Sequence, residues 1–153
     1  MEAPRVSLKQ AVPELYQAMI ALERAMSRHA AAAGIASGFA HLLRLRASQI
    51  NGCAFCLRMH QRDALEAGET TDRIAVLPAW RETGYFSEKE RAALALVEAV
   101  TLLPEGQVPD EIYEASAEAL SREEIAAVEW LAIVINSWNR MAVSSRTPVG
   151  PEE

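Results

Sequence analysis

The sequence has little of what several protein classes require. No stretch alternates apolar and polar residues with period two, and β-branched residues are sparse, so a sheet has no pattern to form on. Positive charge is not in excess: 15 Lys and Arg stand against 21 Asp and Glu, a net charge of −6. Binding to nucleic-acid phosphates needs clustered Lys and Arg, and Arg44 with Arg46 alone makes no patch, so no nucleic-acid partner is expected. The most apolar stretch, Ile125 to Ile135, is too short to span a bilayer and carries Glu129. The opening MEAPRVSLKQAVPELYQ has no apolar run behind a basic start, so no secretory signal is expected either. Together these absences lead us to expect a cytoplasmic protein with no membrane partner. Cysteine is scarce too, with two in 153 residues. In a reducing compartment, two cysteines this close read as catalytic or metal-binding before they read as a structural disulfide.

What is present is helical. Leu15, Met19, Leu22 and Met26 recur at helical spacing behind Pro13, up to an alanine run that Gly34 ends. Ser37 is the expected cap of a second helix through Phe39, Leu42, Leu43, Leu45 and Ile50. Gly52 interrupts, and a third helix runs from about Cys53 to Ala67, with Gly68 as its stop. Thr70 or Thr71 caps a short turn before Pro78. Ser87 with Glu90, and Ser121 with Glu124, have the spacing of capping boxes. The first opens a helix through Leu94, Leu96, Val97 and Val100. The second opens a long apolar helix through Ile125, Val128, Leu131, Ile135, Trp138 and Met141. Between them Pro109, Asp110 and Glu111 fit the first turn of a shorter helix. The expected architecture is all-α: one domain over residues 1–153, six or seven helices, and a polar tail from about 144. A chain of this length buries roughly 70% of its unfolded surface and needs no disulfide or metal staple.

The segment NGCAFCLRMHQRDALEAG, residues 51–68, concentrates the chemistry. At about 100° per residue, Cys56 lies roughly 60° from Cys53 around a helix and His60 falls between them, so all three share one face. With a helix start near Asn51 and Gly52, both sulfurs sit where free N–H groups and the helix dipole favour a thiolate. A neighbouring histidine takes the proton. A thiolate attacks the O–O bond of a peroxide and becomes a sulfenic acid, which a second thiol one turn away condenses with to a disulfide. Two other readings stay open. A structural zinc site needs four ligands, and Cys53, Cys56, His60 and His41 supply that number. Two inert, buried cysteines are the third reading.

The stretch LLRLRASQINGCAFCLRMHQRDALEAG, residues 42–68, resembles the core motif of the alkylhydroperoxidase D-like (carboxymuconolactone decarboxylase) superfamily. The likeness lies in Arg44-Leu45-Arg46-Ala47-Ser48, Asn51-Gly52-Cys53, Cys56 and His60, with Ala64 and Gly68 behind. Residues 79–101, 108–115 and 135–140 look like later segments of its single-domain, peroxidase-related branch. The resemblance implies an all-helical fold with the CxxC pair at a helix N-terminus, and homo-oligomers, often trimers or hexamers. It implies a thiol-dependent peroxidase acting on hydrogen peroxide or small organic hydroperoxides. Cys56 would attack, Cys53 resolve and His60 assist proton transfer. A dithiol protein or lipoyl-type reductant would regenerate the pair, with no organic cofactor or metal needed. The resemblance does not imply decarboxylation, because the decarboxylases themselves lack this cysteine pair.

At residue 41 such proteins usually carry a glutamate of the proton relay; here it is His41, which can also pass protons near neutral pH. That replacement motivates a second functional reading: a redox-sensing or scaffold protein of the same fold with little turnover. A metal-binding module is the third.

Other residues carry weaker expectations. His29 reads as a surface residue. Trp80, Trp130 and Trp138 read as core or subunit-interface packing rather than a substrate pocket. Arg46 and Ser48 read as hydrogen-bonding groups near the cysteine helix. Asn136, Asn139 and Arg140 are placed to contact either the site or a neighbouring subunit. Glu129 needs a partner if buried.

Overall fold

The structure is a computed structural model, and residues 5–151 are described. Among them every regular element is helical. They are α1 (Leu8–Ala11), α2 (Pro13–Ala32), α3 (Ser37–Asn51), α4 (Ala54–Glu66), α5 (Thr71–Val76), α6 (Glu88–Thr101), α7 (Leu103–Gly106), α8 (Asp110–Ala119) and α9 (Arg122–Ser144), with a 3₁₀ segment at Leu77–Glu82. The count exceeds the expected six or seven because α1 and α7 are single four-residue turns, too short to leave a periodic signal.

Local chemistry sets most boundaries. Pro13 opens α2 at its first turn, where its missing N–H costs no hydrogen bond. Both capping boxes form: Ser87 accepts from Glu90 N–H and Ser121 from Glu124 N–H, while each glutamate returns a bond to the cap backbone. Thr70 caps α5 through its hydroxyl. Ser37 is the first residue of α3 rather than its cap, and Pro109 precedes α8 as the cap residue.

The central element is α3, which packs against α4, α6 and α9. Its Leu42, Leu43, Leu45 and Ala47 meet Leu94, Leu96 and Val97 of α6 and Val128, Leu131, Val134 and Ile135 of α9 in one apolar cluster. Burying each large aliphatic side chain contributes about 1.5–3 kcal/mol. Two polar clusters pin this core. Glu98 accepts from Trp80 Nε1 at 2.9 Å, Arg46 Nε at 2.6 Å and Arg81 at 2.6 Å. Asn139 donates to Ser48 Oγ at 3.0 Å, and Asn51 Nδ2 donates to the side-chain oxygens of Asn136 and Asn139, both at 2.9 Å. The second cluster ties the end of α3 to α9, fixing the turn from which the cysteine helix departs.

No helix among the described residues is long and apolar enough to cross a membrane.

Candidate functional site

The site is built on the α3–α4 turn. Gly52 ends α3 with φ +65°, ψ 35°, a left-handed conformation that side-chain-bearing residues adopt only at a cost. The chain reverses there, and Cys53 becomes the N-cap of α4. Its sulfur accepts a hydrogen bond from the Cys56 backbone N–H at 3.3 Å, the position a cap oxygen usually holds. Cys53 and Cys56 are joined as a disulfide and are 1% and 2% exposed. The sulfurs therefore sit at the positive end of a helix and out of bulk water, in the oxidised form of the pair.

One turn beyond Cys56, His60 is 6% exposed. Its Nδ1 lies 3.3 Å from Nδ1 of His41 on α3. Asp63 joins them, with Oδ2 at 3.5 Å from His60 Nδ1 and 3.9 Å from His41 Nδ1. Burial, then the Arg44 and His41 charges, push His60 down to about 3, so it is neutral at physiological pH. Burial and Arg44 lower His41 as well, outweighing the opposite pull of Asp63 and Glu23. A neutral imidazole offers one donor and one acceptor nitrogen, so this pair shares a single proton between its facing atoms.

Arg44, almost fully buried, reaches back to α2. It donates to Glu23 Oε1 at 2.8 Å and Ser27 Oγ at 3.0 Å, and the other Glu23 oxygen accepts from Trp138 Nε1 at 3.1 Å. Arg44 Nε has no hydrogen-bond partner among the described residues.

Each expected residue thus has a place. Cys53 and Cys56 are joined to each other at the α3–α4 turn, and His60 on α4 is turned to His41 on α3. The four-ligand zinc arrangement is not the one assembled, because both sulfurs are committed to each other. Asn139 and Asn136 hold the turn before Cys53, and Arg140 donates to Asn136. Ser48 lies in the same network, whereas Arg46 pairs with Glu98 away from it. Trp80 is core, Trp138 packs edge-on against Tyr16, and Trp130 is 52% exposed. His29 is exposed and Glu129 only half-buried. Glu23, Asp63 and Arg44 complete the charge balance of the site. Arg44 stands out in the sequence through the motif and its neighbour Arg46, neither of which points to a partner on α2. Asp63 has a local signal, standing three residues after His60 on the same helix face. Glu23 had none, since nothing in the local sequence says which face of α2 meets α3.

An all-helical frame with a disulfide-bonded cysteine pair at the start of one helix is the frame of AhpD-like proteins. The chain belongs to the carboxymuconolactone decarboxylase family, whose sequence profile matches residues 13–99. It is 39% identical over 140 residues to an uncharacterised protein, YdfG, of Bacillus subtilis (strain 168), covering 92% of each chain. Among solved structures it is similar to a protein of unknown function from Agrobacterium tumefaciens proposed to be an antioxidant defence protein AhpD. That match has 37% identity, a TM-score of 0.87, and covers 98% of this chain and 100% of that one. The debrominase Bmp8, at 19% identity and a TM-score of 0.79 over 90% of this chain and 72% of that one, shares the fold. The family and the Cys53–Cys56 disulfide make this a peroxidase-related protein.

Proposed function

We propose that the protein is a thiol-dependent peroxidase that reduces hydrogen peroxide or small organic hydroperoxides. The observation that carries this reading is the Cys53–Cys56 pair at the N-terminus of α4, close enough to cycle between dithiol and disulfide.

In the reduced protein the Cys56 thiolate attacks the distal oxygen of ROOH. The O–O bond breaks, an S–O bond forms, Cys56 becomes a sulfenic acid, and the departing RO⁻ takes a proton and leaves as ROH. The Cys53 thiolate then attacks Cys56 sulfur, the S–S bond forms, and the hydroxyl leaves as water. A dithiol protein or a lipoyl-type reductant returns two electrons and two protons. The Cys56 N–H bond to Cys53 sulfur supports this division of labour. It stabilises Cys53 as a thiolate, which is what a resolving thiol needs to attack and what makes it the better leaving group on reduction. His60 handles the protons. Its Nδ1 is engaged by His41 and Asp63, so Nε2 is the nitrogen left to exchange a proton with the thiols. His41 lies next in the relay. The near-complete burial of both sulfurs favours small peroxides over bulky ones.

We also propose that the chain works as a homo-oligomer, a trimer or hexamer. Trp130 and Ile133 stay exposed on α9, as does Leu22 on α2, and a second copy covers them.

The test is hydroperoxide consumption with a dithiol reductant, comparing wild type with Cys56→Ser. Loss of turnover in the variant supports the assignment, and equal rates overturn it. A protein that forms the disulfide with peroxide but turns over at background is instead the redox sensor that His41, standing at the acid position, also fits.

A further inference from the structure

We propose that His41, His60 and Asp63 form a binding site for one borderline divalent metal ion of the Zn²⁺ kind, using no cysteine. Two imidazole nitrogens and a carboxylate oxygen converge there from two different helices. Their mutual distances are 3.3 Å (His41 Nδ1 to His60 Nδ1), 3.5 Å (His60 Nδ1 to Asp63 Oδ2) and 3.9 Å (His41 Nδ1 to Asp63 Oδ2). A point equidistant from three atoms so spaced lies roughly 2.1 Å from each, the length at which Zn²⁺ takes imidazole nitrogen and carboxylate oxygen. The ring centroids of the two histidines are 5.5 Å apart, so both rings turn Nδ1 inward.

The surroundings suit a cation. His60 is buried and anchors the site, whereas the His41 and Asp63 side chains are 20% and 39% exposed, which leaves an entry path and room for water in the remaining coordination positions. The Arg44 charge bears on both histidines, and its 2.8 Å bond to Glu23 balances that charge. Asp63 then supplies the negative charge a divalent ion needs. Imidazole with carboxylate selects zinc-like ions over Mg²⁺ or Ca²⁺, which prefer all-oxygen sites. The consequence for the proposed peroxidase is inhibition, because an ion on His60 Nδ1 makes that ring a poorer proton acceptor.

The test is calorimetric titration of ZnCl₂ into the fully oxidised protein, with no free thiols and no peroxide present, followed by Co²⁺ absorption spectroscopy. One ion per chain is expected, weakened at least tenfold by His41→Gln and by Asp63→Asn. The Co²⁺ complex should show ligand-field bands without a thiolate charge-transfer band. Both substitutions fall on partly exposed side chains, and an unchanged melting curve of the metal-free variants confirms that they fold. Absence of stoichiometric binding to oxidised protein overturns the proposal. So does binding that both substitutions leave intact, or binding that appears only after reduction, which would assign the ion to the cysteines. The oxidised protein performs no peroxide chemistry in this experiment, so its result is separable from the fate of the peroxidase reading.

Discussion

Nδ1 of His41 on α3 and Nδ1 of His60 on α4 stand 3.3 Å apart, which ties the orientation of the buried ring to that of the more accessible one. Removing His60 should therefore cost the proton transfer itself, and removing His41 should cost its alignment. In single-turnover assays that follow free-thiol loss after one equivalent of peroxide, His60→Ala should be slower by about 10²-fold or more, the scale of a positioned acid–base group. His41→Ala should be slower by a smaller factor, of order tenfold. A His41→Ala protein as fast as wild type would remove His41 from the relay.

The two cysteines should separate by role. Cys56→Ser should give no sulfenic acid and no turnover. Cys53→Ser should consume one equivalent of peroxide and then stall, leaving a sulfenic acid on Cys56 that a dimedone-type probe labels and mass spectrometry detects. Labelling on the remaining cysteine of Cys56→Ser, with none in Cys53→Ser, would reverse the assignment.

Glu98 should be a stability residue with a defined pH window. Burial raises its pKa, but hydrogen bonds from Trp80, Arg46 and Arg81 outweigh that and hold it below the usual glutamate value. Its contribution is therefore fully present above the unfolded-state pKa and is lost as pH falls through the lower folded-state value. Glu98→Gln leaves Arg46 without its buried partner and should cost about 3 kcal/mol at pH 7, or roughly 6–12 °C in Tm. The gap between variant and wild type should narrow below pH 4. A constant gap from pH 7 to 3 would show that the charge is not what matters.

Asn139→Ala should loosen the turn that presents Cys53. The side chain is 1% exposed and bonds both Ser48 and Asn51, so its loss takes one hydrogen bond from each at a cost of about 1–3 kcal/mol. Disulfide formation in the variant should slow while far-ultraviolet circular dichroism stays helical. Unchanged oxidation kinetics would mean the turn holds without this bond.

Light scattering at micromolar concentration should report an oligomer, and Trp130→Glu, on the exposed side of α9, should shift it toward monomer. A wild-type monomer would mean that no second copy covers the apolar strip of α2 and α9.

Much of the fold was legible because its signals are local. Capping boxes at Ser87/Glu90 and Ser121/Glu124 each close within one turn, and Gly52 and Gly68, both at positive φ, end their helices through their own backbone freedom. The placement of Cys56 and His60 one turn apart on α4 follows from helix periodicity, whereas Cys53 stands outside the helix as its cap. The turns α1 and α7 escaped because four residues contain no period to read. Trp130 shows the limit of an apolar pattern: the long run of α9 was legible as apolar, but not which of its residues the chain itself would bury.

The sequence by itself determined an all-helical chain, the placement of both cysteines at one helix start, and His60 one turn after Cys56 on the same helix, since each depends on residues a turn or two apart. Only the tertiary structure decided that His41 and Asp63 meet His60 at one point, that Glu23 balances Arg44, and that Asn139 secures the turn before Cys53. Those contacts join residues up to 91 positions apart, and they depend on how α2, α4 and α9 pack around α3. Side-chain packing sets those helix orientations, and no short stretch of sequence encodes them.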